Sequence, residues 1–181
     1  KASNFDAAMN LSNLDGNNGF KLDGFINSSN AGDVNGDGFD DLIVGNPSAD
    51  FNGNASGSSY VVFGSAFGFN ATLDLASLNG NNGFRLDGAS KYDGAGRSVS
   101  NAGDVNGDGF DDLIVGAFGT DSNGRAAPSS DYVVFGKASG FDAAMDLSTL
   151  DGSNGFRLIN GVEKHSYLNA SVSSAGDVNG D

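Results

Sequence analysis

Short apolar runs separated by polar, glycine-rich turns define the pattern of this chain. The run Leu-Ile-Val follows two acidic residues at 42–44 and again at 113–115. The run Tyr-Val-Val-Phe occurs at 60–63 and at 132–135. Apolar runs of this length that are bounded by Gly, Asn, Asp and Ser indicate β-strands. The chain is therefore predicted to be all-β.

The second copy of this pattern shows the predicted strands most clearly. Its candidate strands are RSVSNA at 97–102, DDLIVGAF at 111–118, DYVVFG at 131–136 and a final segment of the GFRL type. The second of them is apolar along its length, which suits a strand that is buried on both faces. Segment 141–150 is ambiguous and could contain a helical turn. Four strands per repeating unit predict β-propeller blades with antiparallel strands.

These strands recur with a period of roughly 70 residues, which divides the chain into about two and a half units. Asp33, for example, returns as Asp104 and Asp177. The predicted units are residues 1–66, 67–138 and 139–181. About two and a half units predict a partial propeller, or a propeller that several chains complete together.

The first unit is shorter than the second. It lacks most of the stretch that corresponds to KYDGAGRS at 91–98. We therefore expect the first strand of this unit, or the turn before that strand, to be reduced.

An acidic loop precedes the Leu-Ile-Val strand. Residues 30–45 and 101–116 share the sequence NAGDVNGDGFDDLIVG. Counted from its first Asp, the loop has side-chain oxygens at positions 1, 3, 5 and 9. Glycine at position 6 permits a sharp turn, and position 7 can offer its backbone carbonyl. This pattern suits Ca²⁺, a hard cation that prefers oxygen ligands. The predicted ligands are Asp33, Asn35, Asp37, the Phe39 carbonyl and Asp41 in the first loop, and Asp104, Asn106, Asp108, the Phe110 carbonyl and Asp112 in the second.

A third copy of the loop stops at its fifth position and adds the candidate ligands Asp177, Asn179 and Asp181. The loop is not an EF-hand, because position 12 is Val44 or Val115 and a strand follows. The alternative is a turn with solvated acids, but converging carboxylates without a cation would repel one another and raise at least one pKa. Asp40 and Asp111, at position 8, are expected to point away from the ion. Their side chains should face solvent or contact the ligand residues from behind, without touching the ion.

Composition narrows the possible functions. A net charge of −14 disfavours nucleic acid or an anionic membrane as a partner. No apolar run is long enough to span a membrane, so insertion is not expected. The chain has no cysteine, and its one histidine, His165, lies in an expected surface loop. A catalytic Ser-His-Asp site could use only this histidine, so we do not expect an enzyme.

The stretch AGDVNGDGFDDLIVG, followed by a turn and YVVFG, resembles the FG-GAP repeat. This repeat is the blade unit of the integrin α-subunit propeller and of many large bacterial surface proteins. The resemblance covers nearly the whole chain and implies a calcium ion held between two strands of a blade by the loop residues named above. The Gly-Ala-Pro motif of the family appears here as Gly45-Asn46-Pro47 and as Gly116-Ala117-Phe118. These departures leave the metal loop intact and concern the regularity of the blades.

The resemblance implies a calcium-binding module of an extracellular or cell-surface protein that serves adhesion or binds a protein or glycan ligand. One alternative is a self-assembling structural subunit of an extracellular filament or surface layer. Exposed blade faces would favour such homo-oligomers or polymers. Another alternative is an accessory domain of a secreted hydrolase. For an extracellular module we expect a calcium Kd on the order of 10⁻⁴ to 10⁻³ M.

Overall fold

The protein consists of short β-strands joined by glycine-rich turns. The computed structural model describes residues 9–24, 27–120, 130–159 and 171–174. The strands are β1 (Lys21–Leu22), β2 (Asn27–Gly32), β3 (Asp41–Asn46), β4 (Ser58–Val62), β5 (Thr72–Leu73), β6 (Gly83–Asp87), β7 (Ala95–Gly103), β8 (Asp112–Ala117), β9 (Ser130–Val134), β10 (Ala144–Asp146) and β11 (Gly155–Ile159). Single 3-10 turns lie at Leu11–Asn13, Leu75–Ser77 and Leu147–Thr149. The prediction of an all-β fold is confirmed.

Two antiparallel sheets have the strand order of propeller blades. Blade one consists of β2, β3, β4 and β6, and blade two of β7, β8, β9 and β11, in that order across each sheet. The Leu-Ile-Val strand occupies an inner position in both. In blade one, Ile43 pairs with Ser29 on one side and with Val61 on the other. This central position explains why the run is apolar along its length, because both faces of the strand are covered.

Short parallel strands join consecutive units. β10 lies parallel to β6 at the outer edge of blade one, where Met145 pairs with Leu86. β5 pairs with β1 in the same parallel sense. Just before β10, Phe141 stacks on Phe84 with ring centroids 4.6 Å apart. The ambiguous segment 141–150 thus contains a strand followed by a 3-10 turn, and it closes the outer edge of the preceding blade.

The sheets are offset from the repeating units of the sequence. β6 belongs to the second unit of the sequence but pairs with β4 and completes blade one. β11 stands in the same relation to blade two, since it pairs with β9. Consecutive units are therefore held together by main-chain hydrogen bonds as well as by side-chain packing.

One hydrophobic core lies between the two blades. It includes Ile43 and Val61 from blade one and Leu113 from blade two. The backbones of the two blades approach closely at Gly45, where an added Cβ would lie 2.0 Å from the carbonyl oxygen of Gly96. A side chain at position 45 would force the blades apart, which explains glycine at the end of the Leu-Ile-Val strand.

The first strand of blade two is longer than that of blade one. Among the residues that the structure describes, β7 has 9 residues and β2 has 6. The stretch that the first unit lacks contains Asp93, which accepts a hydrogen bond of 2.9 Å from the Tyr132 hydroxyl. Both residues are buried. The additional residues thus provide a hydrogen-bond acceptor for the hydroxyl group of a buried tyrosine in blade two.

Candidate metal centre

A β-bulge opens each acidic loop. The strand register shifts between Asn30 and Gly32 in blade one and between Asn101 and Gly103 in blade two. The Asn30 side chain accepts the N–H of Gly32 at 2.8 Å, and the Asn101 side chain accepts the N–H of Gly103. Both glycines have a positive φ. A bulge re-aims the residue that follows it, which here is the first predicted ligand.

In the first loop, side-chain oxygens converge on the backbone of the loop itself. The Oδ1 atoms of Asp33 and Asn35 both lie 3.0 Å from the Asp37 nitrogen. Asp33 Oδ2 accepts the N–H of Gly38 at 2.9 Å. Asp37 Oδ1 accepts the N–H of Phe39 at 2.9 Å, so the side chain at position 5 is bonded to the backbone of position 7. The ligands predicted at positions 1, 3 and 5 are thus held on the inside of one tight turn.

The second loop repeats this geometry. Asp104 Oδ1 and Asn106 Oδ1 accept the N–H of Asp108 at 3.0 and 2.9 Å. Asp104 Oδ2 accepts the N–H of Gly109 at 2.8 Å, and Asp108 Oδ1 accepts the N–H of Phe110 at 3.0 Å. Because the two loops share one sequence, this agreement indicates that the loop conformation is encoded locally.

The carboxylate at position 9 ties each loop to its blade. Asp41 Oδ2 accepts the N–H of Val34 at 3.0 Å, and Oδ1 accepts the N–H of Gly64 at 2.8 Å. The corresponding oxygens of Asp112 accept the N–H groups of Val105 and Gly136 at 2.8 and 2.9 Å. Asp41 and Asp112 are both buried. Position 9 therefore has a structural task in addition to the predicted metal contact.

The two buried carboxyls at position 9, Asp41 and Asp112, both have a raised pKa. Burial, with smaller contributions from the charges of Asp37 and Asp33, raises the pKa of Asp41 to about 6, against the lowering effect of the two N–H donors. Burial likewise raises the pKa of Asp112, and Asp108 and Asp104 add to the rise. In both blades burial is the main cause of the raised pKa, and the neighbouring loop carboxylates add a smaller contribution.

The described residues do not contain three or more acidic, histidine or cysteine side chains gathered closely enough to form a metal-binding group. The donor set nevertheless fits calcium. The side chains are all hard oxygen donors, and a carboxylate oxygen that accepts one N–H keeps a further lone pair for a cation. The residues that would hold the ion are Asp33, Asn35, Asp37, the Phe39 carbonyl and Asp41, with their counterparts Asp104, Asn106, Asp108, the Phe110 carbonyl and Asp112.

Some sequence predictions lie outside the described residues. The third loop, with Asp177, Asn179 and Asp181, is one of them, and His165 is another. The metal assignments in all loops remain predictions.

Asp111 departs from the expectation for position 8. Its Oδ2 accepts the N–H of Asp33 at 2.8 Å, and its own N–H donates to the Asp33 carbonyl at 3.3 Å. Asp40, at the same position of the first loop, is exposed. Position 8 therefore faces solvent in one loop and the neighbouring blade in the other. The sequence gives no signal for this contact, because the two loops are identical.

With these features the protein is an all-β chain built from propeller-type blades that each carry an acidic loop. The family model of the FG-GAP repeat matches residues 25–62 and 95–127. These two segments are FG-GAP repeats, as the sequence predicted. A search of curated proteins found no match to the chain. Among the residues that the structure describes, no helix has the length and apolar character needed to cross a membrane.

Proposed function

We propose that this chain is a calcium-binding propeller module of an extracellular or cell-surface protein that serves adhesion or binds a protein or glycan ligand. FG-GAP repeats are typical of such proteins, and the two matched segments suggest an integrin-α-like propeller module. The observation that most strongly supports the calcium assignment is the recurrence of the loop. The same oxygen-rich loop, with four internal hydrogen bonds in common, stands at the corresponding place in both blades.

Calcium would stabilise the loops by relieving the repulsion between their carboxylates. It would draw together Asp33, Asp37 and Asp41, and with them the ends of β2 and β3, between which the loop runs. Calcium at 5 mM and a Kd on the order of 10⁻⁴ to 10⁻³ M would stabilise the folded state by about 1 to 2 kcal/mol per site. Such a site would be occupied at the millimolar calcium concentrations outside cells.

The test is thermal unfolding with calcium and with excess chelator. Calcium should raise the Tm of the parent protein. D37A and D108A should each remove part of that rise, since each loses one carboxylate ligand. D40A is the matched control, because it removes the same charge from an exposed position outside the ligand set. A Tm that does not respond to calcium in the parent protein would contradict the calcium assignment.

The test of location and ligand is separate. An extracellular adhesion module should bind to intact cells or to a glycan or matrix-protein array in a calcium-dependent manner. The D37A/D108A double variant is the control for calcium dependence. Binding that is equal in calcium and in chelator, or absent from all surfaces, would contradict the adhesive role.

A second candidate function is self-assembly into an extracellular filament or layer. It is supported by the exposed loop edges: Phe39 is 43% exposed and Val105 49% exposed. Phe39 and Asp40 of a second copy could occupy, beside Val105, the place that Phe110 and Asp111 occupy beside Val34. Such a head-to-tail contact would generate rings or filaments.

Light scattering with calcium and with chelator separates the two candidates. A calcium-dependent multimer that the V105D substitution dissociates would support self-assembly. A monomer under both conditions would contradict self-assembly and would leave the adhesion module as the proposal.

A further inference from the structure

The contact between the first loop and blade two involves three residues of the first loop. The N–H and carbonyl groups of Asp33 both bond to Asp111, as described above. The carbonyl of Val34 accepts the N–H of Lys137 at 3.0 Å. Gly36 lies against the Phe110 ring, and an added Cβ there would be 2.4 Å from a ring carbon. Blade two thus covers one edge of the first loop.

Asp111 is the centre of this contact. Its carboxylate lies so close to Gly32 that an added Cβ at Gly32 would be 2.3 Å from Oδ2. The bulge residue and the first predicted ligand, Asp33, are therefore both packed against this carboxylate. A hydrogen bond from an N–H group to an ionised carboxylate is stronger than one to a neutral acceptor.

The corresponding edge of the second loop is open within the described residues. An added Cβ at Gly103 or Gly107 would meet nothing within 4 Å. In the described part of the chain, no carboxylate of another blade accepts the N–H of Asp104. The two loops thus differ in whether their first ligand residue is held from outside the loop.

We infer that Asp111 of blade two is a positioning residue for the metal loop of blade one, and that it couples the conformation of this loop to the docking of the blades. The part of this inference that concerns calcium rests on the proposed function. Asp111 holds the backbone of Asp33, whose side chain in turn holds the N–H groups of Asp37 and Gly38. It also adds a negative charge close to the ion that the loop would bind.

A loop that is held in its binding conformation loses less entropy when the ion binds. The first loop should therefore bind calcium more tightly than the second, on the order of tenfold. D111A should remove this advantage. D111N keeps one acceptor oxygen and should fall between the parent protein and D111A. D40A is the matched control, since it alters the same position of the first loop, where the side chain is exposed.

Amide-resolved NMR can test this inference in two ways. A calcium titration reports on the first loop at Gly36 and Gly38 and on the second at Gly107 and Gly109. Hydrogen exchange without calcium reports on the amides of Asp37 and Gly38, whose acceptor is the Asp33 side chain and not Asp111. We expect D111A to speed exchange at these two amides several-fold and to weaken calcium binding at the first loop alone.

The outcomes separate the inference from the proposed function. A parent protein in which calcium shifts no loop amide would contradict the proposed function, while the exchange data would still decide whether Asp111 positions the loop. Equal exchange at Asp37 and Gly38 in D111A and D40A would overturn the inference, whatever calcium does. Unchanged amide shifts in β3 and β9 would show that the variants are folded. If D111A does not fold, D111N takes its place in both measurements.

Discussion

Residues 30–45 and 101–116 share one sequence but have different surroundings. Val34 is fully buried, whereas Val105 is 49% exposed. Asp111 bonds to the neighbouring loop, whereas Asp40 faces solvent. Four backbone-to-side-chain bonds nevertheless recur in both loops, and the second loop adds a bond from the N–H of Gly107 to Asp104 Oδ1. The comparison separates what the loop sequence encodes by itself, which is the turn, from what the neighbouring blade adds, which is the cover on one edge.

The largest expected effect should be the same in both loops. D41A and D112A each leave one buried and one partly buried N–H group without its acceptor, which should cost about 3 kcal/mol of unfolding free energy. Chemical denaturation of the two variants, compared with D40A, measures this cost. A loss in D41A that far exceeds the loss in D112A would show that the bonds within each loop are not equivalent.

The next effect should differ between the loops. V34A removes two methyl groups from the core and should cost about 2 kcal/mol, whereas V105A should cost less than about 0.5 kcal/mol. The two substitutions are identical in sequence context, so each serves as the control for the other in denaturant unfolding. Equal losses would mean that the loops have the same surroundings in solution.

Glycine at position 4 sharpens the comparison further. Gly36 and Gly107 have φ values of +69° and +76°, so alanine should cost about 1 kcal/mol at either position. Only G36A would in addition push a Cβ into the Phe110 ring. We therefore expect G36A to destabilise the protein by about 1 kcal/mol more than G107A. Denaturant unfolding of both variants tests this, and a smaller loss in G36A would contradict the contact.

The smallest expected effect concerns the residues of the second unit that the first unit lacks. Burial raises the pKa of Asp93 above its ordinary value of 3.8. The folded state therefore holds this proton more tightly than the unfolded state. Asp93 contributes most to stability at low pH, and this contribution is lost as the pH rises through the folded-state pKa. D93N cannot ionise, so the stability of the parent protein relative to D93N should fall as the pH rises from about 4 through the raised folded-state pKa of Asp93.

Unfolding of D93N and the parent protein across this pH range measures the effect. Y132F is a useful second variant, because it removes the hydroxyl that donates to Asp93 and leaves the carboxyl in place. Its difference from the parent protein should also depend on pH. A constant difference between the parent protein and D93N would contradict the raised pKa.

The sequence predicted the strands of each blade and the position of the acidic loops. Both depend on local patterns, namely the apolar runs at 42–44 and 113–115 and the alternating oxygens beside them. The 3-10 turn at Leu147–Thr149 was also within reach, because Asp146 accepts the N–H of Ser148 as a capping residue does.

The contacts between blades could not be predicted in the same way. The parallel pairing of β10 with β6 joins residues that are far apart in the chain, and its short sequence carries no signal of its partner. The two roles of position 8 could not be distinguished, because Asp40 and Asp111 lie in identical segments. The hydrogen bond between Asp93 and Tyr132 could not be predicted either, because the two residues are 39 positions apart in the chain.

A calcium titration of the unaltered protein, followed at the glycine amides of both loops, tests the proposed module most directly. We predict that the amides of Gly36, Gly38, Gly107 and Gly109 all shift at millimolar calcium, and that those of the first loop shift at the lower concentration. The absence of shifts in both loops would contradict the calcium-binding role. Shifts with one common midpoint would retain that role and contradict the influence of blade two on the first loop.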